Sequence, residues 1–209
     1  MHKSVIPRIS LALLAIFVSA GGCSLAAQEP AAREQKIVLI EPKLMAPAVS
    51  REIPGARSTV LVAARETDYG GLEYYDKEAF EALGKSWEAF YREARERADA
   101  LLLTLEPEFK RDSRGVIEYA LLSSESQRTA GVVLAAKFLE RFRESLGDEL
   151  VVMIPNRSTV LVFPKLASDY ADYGEAVIEM YRDAVYPASL EIFVVDARGM
   201  RAIGEFQRE

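Results

Sequence analysis

Residues 149–163 read ELVVMIPNRSTVLVF, two apolar runs on either side of a Pro155-Asn156-Arg157-Ser158 corner. Short runs rich in Val, Ile and Leu that are bounded by turn residues have the pattern of buried strands. The second run has an earlier double: Arg57-Ser58-Thr59-Val60-Leu61-Val62 recurs letter for letter at 157–162, an offset of 100. Each copy leads to Asp-Tyr-Gly, at 68–70 and 172–174. Each continues into a segment with Tyr-Arg-acid-Ala, at 91–94 and 181–184, and ends at an Asp-x-Arg-Gly turn, at 112–115 and 196–199. Strand and turn propensities account for each match singly, but not for four matches in one order. The pattern predicts a duplicated β-α-β-β unit, with copies near 57–121 and 157–206.

The elements between these landmarks fit an α+β chain. Lys36–Ile40 reads as an edge strand, and Pro42, Pro47 and Pro54 then argue against regular structure up to Gly55. A strand over 58–64 and a short one over 72–75 precede a brief helix capped by Asp76 and a longer one capped by Ser86. In the longer helix Trp87, Phe90, Tyr91, Ala94, Ala98, Leu101 and Leu102 recur at spacings of three and four, giving one apolar stripe. Strands over 103–109 and 116–123, a helix over 129–146, a helix over 170–185 and a final hairpin over 190–206 complete the pass. Hairpins mixed with single helices, rather than regular βαβ alternation, predict α+β with mixed or antiparallel sheets. The two copies are expected to form pseudo-equivalent lobes about a shared core, because one unit alone buries too little apolar surface.

The N-terminus has another character. Lys3 and Arg8 precede an unbroken run of apolar or small residues from Ile9 to Ala20, and Gly21-Gly22-Cys23 follow. That run falls short of the ~20 residues needed to span a bilayer and reads as a bacterial-type export signal. Cys23 is the only cysteine and stands where a lipoprotein signal would place its acylated residue. The expectation is therefore a signal segment 1–23, a tether and Pro-rich lead-in 24–54, and one globular domain 55–209. Lipidation at Cys23 would make the membrane a partner through the anchor, since two or more acyl chains hold stably. Ordinary secretion after Ala20 or Ala27 is the rival.

Composition excludes several chemistries. The sole histidine is His2, inside the signal, so the exported domain has no imidazole. Ser-His-Asp and Cys-His catalysis and histidine-ligated metal centres are thereby removed. No catalytic residue, cofactor or metal is predicted. Two of the 26 cations lie in the signal, so its removal takes the net charge from −6 to −8. Such a chain, with no basic run, is not expected to bind nucleic acid.

The stretch Glu149–Phe163, the helix after it, and Tyr186-Pro187-Ala188-Ser189 leading to Phe193 resemble the YtpQ-like family of bacterial proteins. The Thr129-Ala130-Gly131 segment and the Trp87 helix fall in that family's order, so the resemblance covers roughly residues 55–206. It implies a fold and carries over no catalytic residue, the family having no established activity.

The candidate binding residues are Arg57, Asn156, Arg157, Asp172 and Tyr173. An arginine opening a strand can take a carboxylate or phosphate through two parallel N–H groups. Alternatively, each pairs with an acid of its own repeat, Asp68 or Asp172. Asn156 heads an Asn-Arg-Ser sequon but suits a turn. Asp169, Asp172 and Glu175 lack the spacing of a calcium loop and fit the first turn of a helix. Glu106 and Glu108 share one strand face, without the gap that paired glycosidase carboxylates need. Tyr69, Tyr74, Tyr75, Tyr170 and Tyr173 gather near the two Asp-Tyr-Gly segments, as a recognition surface or as core edging. The function expected is binding or scaffolding in the cell envelope, with an envelope protein or glycan as partner. The alternatives are a carboxylate-based hydrolase of envelope glycan and a chaperone-like adaptor presenting a sheet face.

Overall fold

The structure is a computed structural model that describes residues 36–207 apart from Ala46, Asp68 and Ala167. The signal, Cys23, the tether and Asp68 lie outside the described residues.

Among the described residues, ten strands form two antiparallel sheets. The smaller sheet contains β1 (Lys36–Pro42), β2 (Ser50–Glu52), β3 (Thr59–Glu66) and β4 (Leu72–Tyr74), with β3 central in the order β1-β3-β2 and β4 on the far end of β3. The larger sheet contains β5 (Glu108–Arg111), β6 (Ile117–Ser123), β7 (Leu150–Asn156), β8 (Thr159–Pro164), β9 (Glu191–Asp196) and β10 (Gly199–Glu205), in the order β10-β9-β7-β8-β6-β5. The helices are α1 (Lys77–Ala82), α2 (Trp87–Leu102), α3 (Phe138–Leu146) and α4 (Gly174–Arg182).

The mixture of helices and sheets is α+β, and both sheets are wholly antiparallel. Asp76 and Ser86 cap α1 and α2 as their side chains suggest, accepting from the N–H of Ala79 and of Ala89. Period-two burial then divides the apolar residues between three clusters. Val38, Ile40 and Ala63 of the small sheet face the main core, which holds Phe90, Ala94, Phe138 and Phe142 of the helices and Val152, Val160, Val162 and Phe193 of the large sheet. Fully burying one such aromatic stabilises by roughly 1.5–3 kcal/mol. Val151, Met153, Leu161 and Phe163 point out of the opposite face of the large sheet and are covered by Val177 of α4. Ile37, Leu39, Val60, Val62 and Ala64 form a third cluster on the other face of the small sheet.

Four sequence expectations change. The Pro-rich lead-in supplies β2, an outer strand of its sheet, a position where flanking prolines are tolerated. The helix expected from 129 to 146 is a 3₁₀ turn (Thr129–Leu134) followed by α3. Its backbone is committed to tertiary partners: the Ala130 N–H donates to the Arg157 carbonyl at 2.9 Å, and a β-carbon on Gly131 would stand 3.2 Å from the Val38 carbonyl oxygen. The strand expected from Leu103 begins at Glu108, because Leu103 caps α2. The helix expected from Tyr170 to Val185 is likewise shorter, a 3₁₀ turn over 168–173 running into α4.

The repeated hexapeptides fall at the same place in like motifs. The first follows β2 and opens β3; the second follows β7 and opens β8. Each second strand has its hairpin partner on one side and an earlier antiparallel strand on the other, so β1-β3-β2 corresponds to β6-β8-β7. The two Asp-x-Arg-Gly turns also match. Asp112 and Asp196 each accept from the backbone N–H and the guanidinium of the arginine two residues on, and Gly115 and Gly199 take φ of +83° and +103°. The copies are nevertheless not placed alike. The first hexapeptide lies in the small sheet while its Asp112 hairpin lies in the large one; the second copy keeps both in the large sheet.

Candidate functional site

Two clusters of polar side chains occur where the sheets meet, and each contains one of the repeated arginines. Arg157 sits in the tight turn between β7 and β8, only 6% exposed. Its Nε donates to Glu41 of β1 at 2.6 Å, one terminal nitrogen to the Tyr74 hydroxyl at 2.9 Å, and the other to Gln127 at 3.2 Å. Tyr74 in turn donates to the second oxygen of Glu41 at 2.8 Å. The guanidinium lies over the Tyr186 ring, 4.8 Å from its centroid, and the Arg157 N–H donates to the Tyr186 carbonyl. Burial lowers the tendency of Arg157 to hold its proton, but the Glu41 carboxylate outweighs it and the net shift is upward. Burial, aided by the adjacent Glu41 charge, pushes the Tyr74 phenol up to about 12. The arginine is thus a tie from the large sheet to the small one, and not a pair with Asp172 as one sequence expectation had it. Asn156, beside it, serves the turn: its Oδ1 accepts from the Ser158 N–H at 2.9 Å.

Arg57 has the opposite surroundings. Its main-chain N–H donates to Oε1 of Glu191 at 2.5 Å, and the Ser58 N–H reaches the same oxygen at 3.3 Å. Its side chain is exposed, and among the described residues it has no partner. Glu191, at the start of β9, is only 2% exposed, and its other oxygen, Oε2, is buried without a hydrogen-bond partner among the described residues. Ser58 links this acid to a second one, its Oγ donating to Glu205 of β10 at 2.8 Å. Below them the hydroxyls of Thr59 and Ser189 lie 2.6 Å apart, and the Ser189 Oγ accepts from the Glu191 N–H.

Two hollows open here and share Arg57 and Glu205 as a wall. One, of about 210 Å³, is lined by Gly55, Arg57, Glu191 and the Ala202–Glu205 end of β10. The other is a groove of about 690 Å³ whose apolar side includes Leu190, Phe206 and Tyr181. The backbone that shapes the smaller hollow is fixed. Ala202 donates to the Pro54 carbonyl at 2.8 Å, and a β-carbon on Gly55 would lie 2.6 Å from the Ala202 carbonyl oxygen.

Asp172 and Tyr173 are in neither cluster. Tyr173 packs on Tyr119 and Phe163 on the α4 side of the large sheet, its hydroxyl 3.4 Å from Glu118, and burial raises its pKa. Glu106 and Glu108 are exposed and pair with Arg141 and Lys110, away from either hollow. Among the described residues no three of His, Cys, Asp and Glu are grouped to hold a metal, and no helix is long and apolar enough to cross a membrane. Glu41, Ser189, Glu191 and Glu205 had escaped sequence reasoning. The one available signal was that Glu41 and Glu191 adjoin strongly apolar runs, where an acid must find a partner.

No family model, no curated protein and no solved structure matches the chain.

Proposed function

We propose that the chain is an exported envelope lipoprotein, anchored through Cys23, whose folded part works by binding in the crevice around Glu191. The observation that carries the binding reading is the buried Glu191 carboxylate beside the smaller hollow, with one oxygen fixed by backbone N–H groups and the other unpaired. A buried charge left half-satisfied is costly, and a cationic group held in the hollow beside it would offset that cost. The Arg157 cluster, by contrast, has its nitrogens engaged internally. The signal pattern before Cys23 supports export and anchoring, with the membrane as partner and the polar stretch 24–35 as tether.

The YtpQ-like resemblance belongs to the same reading, resting on what is now the β7–β8 hairpin. So does a duplicated origin, supported by the matching hairpins and turns. A glycan hydrolase is the second reading, favoured by the presence of Glu191 and Glu205 in one hollow. Both acids are tied to one serine, Ser58, an arrangement better suited to holding a ligand than to flanking a scissile bond. The adaptor reading needs an open sheet face, and the large sheet carries an apolar cluster on each side.

Fractionation and ligand screening test the proposal separately. Wild type should sediment with membranes, while Cys23→Ser should stay unprocessed or become soluble; a mature N-terminus at Gly21 or Gln28 would reject lipidation. Thermal denaturation of the purified protein against amino acids, peptides and glycan fragments should rise with one class and lose that rise in Glu205→Gln. No rise with any class would remove the binding reading.

A further inference from the structure

The crevice carries more than a single unpaired oxygen, and the arrangement of its charges specifies a ligand class. Glu191 and Glu205 are brought together through Ser58, the first buried with an unpartnered oxygen and the second exposed on β10. With Glu205 on the wall shared by the two hollows stands Arg57, exposed and, among the described residues, without a partner for its guanidinium. A simple cation would meet the acids but also the repulsion of Arg57, and a simple anion would meet the reverse. A small molecule bearing both charges satisfies the acids and the arginine together.

We propose that this crevice binds a zwitterion of the amino-acid class, a free amino acid or short peptide with unblocked ends. Its ammonium group donates to the exposed Glu205 carboxylate beside the buried Glu191, and its carboxylate accepts from the Arg57 guanidinium. The smaller hollow, about 210 Å³, has the volume for the charged ends, and the apolar side of the larger groove, at Leu190, Phe206 and Tyr181, receives the side chain. Charge-assisted hydrogen bonds are the strong kind, and the buried Glu191 carboxylate nearby adds its charge, so the ammonium supplies most of the selectivity. This assignment rests on the binding reading above and narrows it to one ligand class.

Calorimetric titration of the purified full chain with three probes tests it: alanyl-alanine, its N-acetyl derivative and its C-terminal amide. Alanyl-alanine should bind with a Kd of about 1 mM or tighter. Blocking the amine should weaken binding by roughly tenfold or more, as should Glu191→Gln. Because Glu191 also fixes the Arg57 and Ser58 backbone, two exposed substitutions carry the decision should Glu191→Gln fold poorly. Glu205→Gln should weaken alanyl-alanine, and Arg57→Ala should make alanyl-alanine and its amide bind alike. Equal binding of the N-acetyl form, retained discrimination in Arg57→Ala, or no heat from alanyl-alanine at millimolar concentration would overturn the assignment. If glycan fragments alone raise the thermal midpoint, the zwitterion falls while the binding reading stands.

Discussion

Arg57 and Arg157 open identical hexapeptides, yet one guanidinium is exposed without a described partner and the other is buried among four side chains. The difference begins one residue upstream. Both copies read Ile-Pro before the turn, at Ile53-Pro54 and Ile154-Pro155, but the first has Gly55-Ala56 before its arginine where the second has Asn156 alone. With the shorter connection Arg157 occupies a tight turn and reaches Glu41 on the other sheet; with the longer one Arg57 leaves its main chain against Glu191 and its side chain outside. A repeated motif therefore fixes the hairpin, while turn length decides what its leading charge meets.

The two hairpins differ again in the side they show to the main core. The first copy directs Leu61 and Ala63 towards it, the second Val160 and Val162. The following helices keep to one rule, α2 packing on the Leu61–Ala63 side of its strand and α4 on the Leu161–Phe163 side of its own. A twofold axis through the shared core would present like faces to it. The two repeated strands instead turn opposite faces to the main core, Leu61 and Ala63 in one and Val160 and Val162 in the other.

The sharpest way to test this contrast is to remove each arginine in turn. Arg157→Ala leaves Glu41, 2% exposed, without its cation. Breaking a buried pair from one side costs about 3–5 kcal/mol, so a large fall in the denaturant midpoint is expected. Arg57→Ala should change stability by no more than about 0.5 kcal/mol, as a surface substitution does. Similar losses at both positions would mean that the two arginines do equivalent structural work, and turn length would then no longer explain a difference between them.

The turns come next. Gly55 holds φ of +78° and faces the Ala202 carbonyl so closely that an alanine β-carbon would stand 2.6 Å away. Gly55→Ala should destabilise by about 2 kcal/mol, from the left-handed backbone and the contact together. Asn156→Ala loses only the bond from the Ser158 N–H, about 1 kcal/mol. A costlier Asn156→Ala would place the greater strain in the shorter turn.

Much of the local structure was legible in the sequence. Asp76 and Ser86 announced two helix starts, and the Asp-x-Arg-Gly turns announced two hairpins, because these features depend on side chains within a few residues of the backbone they satisfy. The 129–146 segment was not legible, since its interruption depends on Val38 and Arg157, both far along the chain. The crevice was hidden for the same reason. Arg57 could be named as a candidate, but Glu191 is 134 positions away, and no spacing rule brings an acid at the start of β9 to a turn before β3. The pairing of like copies also misled, because the partner of Arg157 is Glu41 rather than an acid downstream in its own copy.

The smallest expected effect concerns Tyr74, which reaches from the sheet of the first copy to the arginine of the second. Its hydroxyl donates to Glu41 and accepts from Arg157, and burial with the nearby Glu41 charge raises its pKa to about 12. A raised folded-state pKa means that the native fold favours the neutral phenol. That contribution is complete below the unfolded tyrosine value of about 10 and is lost as pH rises from there through 12. Wild type should therefore lose stability over that window more steeply than Tyr74→Phe, whose remaining tyrosines supply a common background. The difference between their ultraviolet titrations should isolate one phenol with a midpoint near 12. If the phenol missing from Tyr74→Phe instead ionises near 10, the hydroxyl is solvated and the tie between the copies consists of Arg157 and Glu41 alone. The contrast between the two arginines would survive, but Tyr74 would drop out of its explanation.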